Sequence, residues 1–118
     1  MSAVIIYHNP RCSKSCATLA LLRERGIELQ VIEYLNEPPD AGEIKHMLEL
    51  LGLNARALLR KGEPAYRKLG LDDAALSEEA LIAAMVREPV LMERPVVIFG
   101  SKAALGRPPE NALKVFAP

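Results

Sequence analysis

The opening third of this chain limits its fold more than any other stretch. Residues 3–7, AVIIY, are a short run of β-branched and aromatic side chains closed by the turn-prone His8-Asn9-Pro10, which predicts a buried strand. From Ser13 the apolar spacing becomes helical, with Cys16, Leu19, Ala20 and the stem of Arg23 expected on one face and Gly26 as the stop. Residues 27–35, IELQVIEYL, alternate as a second strand. Strand, helix, strand implies a parallel pair joined by a crossover.

Helices follow. Asp40 with Glu43 three residues on reads as a capping box, Ile44, Met47, Leu48 and Leu51 as the buried stripe, and Gly52 as the stop. Between 53 and 71 the apolar patch Ala57-Leu58-Leu59, then Pro64 and Gly70, predict short helical pieces. Ser77 caps a further helix whose Leu81, Ile82, Met85 and Val86 face inward, and Pro89 ends it. VVIF at 96–99 predicts a strand, Gly100-Ser101 a hairpin turn, and Lys102–Leu105 an edge strand. Pro108-Pro109 opens a short terminal helix carrying Ala112, Leu113 and Val115. The order is βαβ, helices, ββα: a mixed α/β layer structure with a helical insertion at roughly 38–90, in a single domain spanning 1–118.

Composition narrows the function. Fifteen basic residues balance fifteen acidic ones, which argues against a general nucleic-acid binder. No apolar run approaches membrane-spanning length and no signal-peptide pattern is present, so the expectation is a cytoplasmic protein. Two cysteines are too few for a disulfide scaffold, so thiol chemistry here is expected to be catalytic or redox. No Cys/His cluster has metal-ligand spacing, so a zinc site is not indicated, and no glycine-rich nucleotide loop is present.

Cys12 is the first candidate for chemistry. It follows a strand, sits in a turn and precedes a helix, where free backbone N–H groups and the helix dipole favour a thiolate. Arg11 and Lys14 add positive potential, Ser13 and Ser15 offer hydrogen bonds to the sulfur, and His8 is close in sequence. Cys16, one turn later in a C-x-x-x-C spacing, reads as an ordinary core residue on the Leu19 stripe, although under oxidation it can be imagined pairing with Cys12. An oxyanion beside a thiolate needs cations of fork geometry; Arg94 and Arg107 stand out because each precedes a proline at a strand edge. His46 reads as a surface residue.

YHNPRCSKS at 7–15, ALLRK at 57–61, MERPVVI at 92–98 and GRPPE at 106–110 together resemble the glutaredoxin-coupled arsenate reductase family along nearly the whole chain. The resemblance implies a thioredoxin/glutaredoxin-like mixed sheet with a helical insertion, and Pro95 as the cis-proline facing the active-site cysteine. It implies Cys12 as nucleophile, Arg60, Arg94 and Arg107 as oxyanion ligands, and His8 and Ser15 as supports of thiolate formation. It also implies arsenate as substrate, glutathione as co-substrate and glutaredoxin as partner, without metal or bound organic cofactor. Two features depart from the family. The sequence stops at Pro118, short of the longer plasmid-type members. Cys16 stands where an arginine or another polar residue is expected, so a second redox thiol is the reading that this one residue adds. Two other functions compete: a glutathione-dependent thiol reductase of another substrate, and a regulator resembling the RNA-polymerase-binding Spx proteins, whose cysteine pair is C-x-x-C instead.

Overall fold

The structure, a computed structural model, describes residues 4–116; Ala3 of the expected first strand and the terminal Pro118 lie outside them. The chain divides into two compact units, one formed by the chain up to Glu37 and from Arg94 onward, the other by Pro38–Glu93.

The first unit is built on a four-stranded mixed sheet in the order β2-β1-β3-β4. β1 (Val4–His8) and β2 (Leu29–Glu33) run parallel, joined by α1 (Ser13–Glu24) as the crossover. β3 (Val96–Phe99) lies antiparallel to β1 with Ile6 opposite Val97, and β4 (Lys102–Leu105) returns from it. Gly100 makes that return, its φ of 61° being one that a side chain resists. The most apolar strands, β1 and β3, take the two central places. β2, two of whose five residues are polar, takes an edge and is shorter than the 27–35 run because the chain turns at Glu33, whose carbonyl accepts from the amides of Asn36 and Glu37. Val4, Ile6, Leu22, Val97, Ala104, Ala112 and Val115 form one buried cluster. The last two come from a terminal helix that is 3₁₀ rather than α, Pro109–Phe116.

α1 buries a different stripe from the expected one. Ser15, Thr18 and Leu22 are its buried residues, Leu19 is half-buried, and Cys16 and Ala20 are exposed. Both sets have helical spacing; the polar set wins because its two hydroxyls find partners inside.

The second unit is helical. α2 (Ala41–Leu51) carries the full capping box, with Asp40 Oδ1 accepting from the Glu43 amide at 2.8 Å and Glu43 Oε1 from the Asp40 amide at 3.1 Å. Gly52 ends it in the left-handed conformation. α3 (Ala55–Leu58) and α4 (Pro64–Lys68) are the short pieces, and Ala57 is exposed while Leu58 and Leu59 are buried. α5 (Glu78–Arg87), capped by Ser77, packs Leu81, Ile82 and Met85 with α2 and α3. Val86 is only half-buried, and Ala84 takes an inner place. Segments 58–60 and 91–93 pair as a two-stranded ladder: Leu59 bridges Met92, and Arg60 and Leu91 as well as Glu93 and Leu58 join main chain to main chain.

Candidate active site

β1 ends at His8 and the chain turns at once. The Cys12 amide donates to the Asn9 carbonyl at 3.0 Å, and the Arg11 amide donates to Asn9 Oδ1 at 2.9 Å, so the buried Asn9 side chain closes the turn as a main-chain carbonyl would. Cys12 is thereby placed, extended at φ −98° and ψ 120°, as the N-cap of α1. No acidic side chain occupies the first turn. The sulfur therefore faces free N–H groups with no competing anion in the first turn.

Partial burial pushes the Cys12 thiol up, but the opposing influences win and hold it below its ordinary value. The Ser15 amide is the largest of these, then the Arg94 guanidinium and the Lys14 amide. Cys12 makes no side-chain capping hydrogen bond to α1; the two amides and Arg94 act as a converging field of donors that favours the anion.

Ser15 serves Cys12 through its main chain, not its hydroxyl. Its Oγ accepts from the Asn9 amide at 3.0 Å and lies 2.6 Å from His8 Nδ1. Burial holds His8 below its ordinary value; Glu33 pulls the other way and Arg23 adds to the depression. A neutral imidazole accepts at Nδ1, so the Ser15 hydroxyl donates there and the ring proton is assigned to Nε2. His8 and Ser15 thus lock the Asn9 loop to the first turn of α1. Ser13 is exposed.

Arg94 is buried, at 8% exposure, immediately before β3, and the Arg94–Pro95 peptide is cis. Arg107, also followed by a cis proline, donates from Nη1 to the Arg94 carbonyl at 3.3 Å. Between them Gly106 donates its amide to the Pro95 carbonyl at 2.9 Å, and its own carbonyl accepts from Thr18 Oγ1 at 3.3 Å. A Cβ on Gly106 would stand 2.5 Å from Thr18 Oγ1 and 2.7 Å from Pro95 Cγ, so the close approach of α1 to the Pro95 loop needs glycine.

Cys12, His8, Ser15, Arg94, Pro95 and Arg107 all belong to the sheet unit. Arg60 belongs to the helical unit, on the 58–60 ladder segment. Its Nε lies 3.8 Å from both Glu63 and Glu93 carboxylates, and its buried Nη1 has no hydrogen-bond partner among the described residues.

Cys16 is exposed, which corrects the core reading, and its thiol donates to the Pro10 carbonyl at 3.2 Å. The fourth helical position faces the residues before the cap, whereas the cap's own side chain faces the second and third. The Cys16 sulfur therefore leans on Pro10 while that of Cys12 faces Lys14 and Ser15. His46 is exposed on α2. Among the described residues no cluster of His, Cys, Asp and Glu has the make-up of a metal site, and no helix is long and apolar enough to cross a membrane.

Sequence reasoning missed Tyr34, Thr18 and Gly106. Tyr34 is fully buried, and Arg94, Asn9 and Cys12 are the polar groups that face its hydroxyl. Thr18 and Gly106 carry no chemistry of their own, and only the contact between them discloses their part.

The sequence matches the ArsC family over residues 7–115. It is 55% identical over 113 residues to the uncharacterized protein YfgD of Escherichia coli (strain K12), with 95% of each chain covered. It is 49% identical over 112 residues to an arsenate reductase of Neisseria meningitidis serogroup A, covering 94% of this chain and 96% of that one. Among solved structures, an arsenate reductase from Vibrio cholerae superposes with a TM-score of 0.94 at 50% identity, covering 97% of this chain and 98% of the other. The architecture shared with it is the thioredoxin-like one that the sequence motifs imply.

Proposed function

This chain belongs to the ArsC family, and from that premise we propose that it is a cytoplasmic arsenate reductase in which the Cys12 thiolate is the nucleophile. The observation that carries the reading is the environment of Cys12: a helix cap with the Ser15 and Lys14 amides and Arg94 converging on its sulfur. That arrangement suits a tetrahedral oxyanion, because the donors that favour the thiolate remain in place to receive negative charge as it moves onto the substrate. Arg94 and Arg107 hold the oxyanion, and Arg60 takes the same role by resemblance to the family. His8 and Ser15 keep the Asn9–Cys12 loop in register with α1, and Pro95 sets Arg94 beside it. The chain is read as one domain with a helical insertion at roughly 38–90, the segment on which Arg60 lies.

In this reading the thiolate attacks arsenic, one oxygen leaves as water, and a Cys12 sulfur–arsenic bond forms with arsenic still pentavalent. Glutathione attacks the arsenic of that adduct and displaces a second oxygen as water, so that arsenic, still pentavalent, carries both sulfurs. A glutaredoxin thiol then attacks the glutathione sulfur, and the pair of electrons in the sulfur–arsenic bond passes to arsenic. Water hydrolyses the remaining bond between the Cys12 sulfur and trivalent arsenic, releasing arsenite and the Cys12 thiolate, and the thiols of glutathione and glutaredoxin have become one disulfide. No metal or bound organic cofactor takes part.

The test is arsenate-dependent NADPH consumption with glutathione, glutathione reductase and a glutaredoxin. Activity abolished by Cys12→Ser and kept by Cys16→Ala is expected, because the two sulfurs point to different sides of the cap. Failure of Cys16→Ala moves the role of second redox thiol to Cys16. No arsenate-dependent turnover in the wild type, with Cys12 still reactive, turns the assignment to a thiol reductase of another substrate.

A further inference from the structure

Tyr34 lies one residue beyond β2, is 0% exposed, and its hydroxyl makes no hydrogen bond of acceptable geometry among the described residues. A buried hydroxyl without a partner is destabilising, and native proteins keep such groups chiefly where function needs them. Its surroundings show what is missing. Arg94 is a donor only, and the Asn9 side chain, whose Oδ1 accepts from the Arg11 amide, acts on the phenol in the sense of a donor, as Arg94 does. Both neighbours act on the hydroxyl as donors, which leaves its proton unmatched. The third polar neighbour is Cys12, the nucleophile of the proposed reaction. The phenol also stays protonated throughout the working range: burial pushes it up to about 12, against the milder influence of Arg94.

We propose that Tyr34 is a further oxyanion-site residue, whose neutral hydroxyl donates to an oxygen of the tetrahedral anion held by Arg94 beside Cys12. The inference rests on the arsenate reductase reading for its substrate, but its core is narrower: a donor waiting for an acceptor that the anion supplies. An uncharged donor complements the arginines, since it binds the anion at a fixed direction without adding to the field on the thiolate.

Tyr34→Phe tests this, because phenylalanine fills the same space and removes only the hydroxyl. Three quantities are compared with the wild type: the arsenate concentration that half-protects Cys12 from iodoacetamide, the pH midpoint of that alkylation without arsenate, and Tm. Cys16→Ala is the background for all three. The half-protecting concentration is expected to rise about tenfold or more, the scale of one lost donor to an anion. The midpoint is expected to stay in place and Tm to hold or increase. Unchanged protection overturns the inference. A displaced midpoint with unchanged protection overturns it as well, because the hydroxyl then serves the thiolate, and a clear fall in Tm makes it a structural group. If arsenate fails to protect wild-type Cys12, the function assignment falls together with the inference. If the wild type is protected and turns arsenate over while Tyr34→Phe matches it in both, only the role of Tyr34 is lost.

Discussion

At Cys12, opposing effects set the charge of one sulfur atom. Burial raises the thiol and three donors lower it, and the donors prevail. With the thiol below its ordinary value, the thiolate fraction at a given pH is larger and the plateau of reactivity is reached at lower pH. The alkylation rate of Cys12, followed in a Cys16→Ala background, is therefore expected to show a midpoint below the free value of about 8.5. Arg94→Ala should move that midpoint upward, since it removes both a hydrogen bond and a charge from the sulfur. A midpoint at the free value, or one indifferent to Arg94, would sink this account. Cys12 was legible in the sequence because its environment is local: a strand, a turn, a helix start. Tyr34 was not, because nothing in the IELQVIEYL run says that its hydroxyl ends buried beside an arginine sixty residues on. Cys16 was misread for a related reason. Hydropathy favours cysteine over serine and threonine at buried positions, yet Ser15 and Thr18 went inside because each found a hydrogen-bond partner there.

At the level of elements, the clearest sequence signals are those that stay within one segment. The Asp40–Glu43 box and Gly52 define both ends of α2, and the residues between them give its buried stripe. The βαβ start and the β3–β4 hairpin are of the same kind. The junction of α1 with the loops around Pro95 and Gly106 is not, because it joins segments far apart in sequence. Thr18 Oγ1 bonds the Lys14 carbonyl at 2.8 Å within α1 and the Gly106 carbonyl across the junction, so one hydroxyl ties the helix to the loop that carries Arg107. Gly106→Ala drives a methyl group into Thr18 and Pro95. Overpacking of this sort costs about 1 to 3 kcal/mol, and here the displaced backbone also carries Arg94 and Arg107. Urea unfolding should show the loss, and the variant should bind arsenate more weakly than its remaining stability explains. An alanine variant as stable and as readily protected by arsenate as the wild type would mean that this junction is looser than described. Thr18→Val, which keeps the volume and removes the hydroxyl, separates the hydrogen bond from the fit.

Over the whole molecule the charges cancel, fifteen against fifteen, so mild acid does not act first through net self-repulsion. It acts through groups whose proton affinity changes on folding. His8 is one: buried and depressed below its ordinary 6.5, it takes a proton in the unfolded chain at a pH where the folded chain refuses it. The unfolded state then binds more protons, so stability present above 6.5 is lost as the pH falls through that value towards the folded one. Cys12 has the same sign: its depressed folded value gives stability that is full above the unfolded value and declines as the pH falls. The two are separated by substitution. His8→Asn offers Oδ1 to the Ser15 hydroxyl where Nδ1 stood and has no proton to gain. Between about pH 7.5 and about pH 5.5 the wild type is expected to lose more Tm than His8→Asn does, with the exposed His46→Gln behaving like the wild type. Parallel curves for wild type and His8→Asn would place the acid sensitivity elsewhere. A steeper curve for the wild type would also connect stability with the site, because the imidazole whose burial resists protonation holds, through Ser15, the loop on which Cys12 stands.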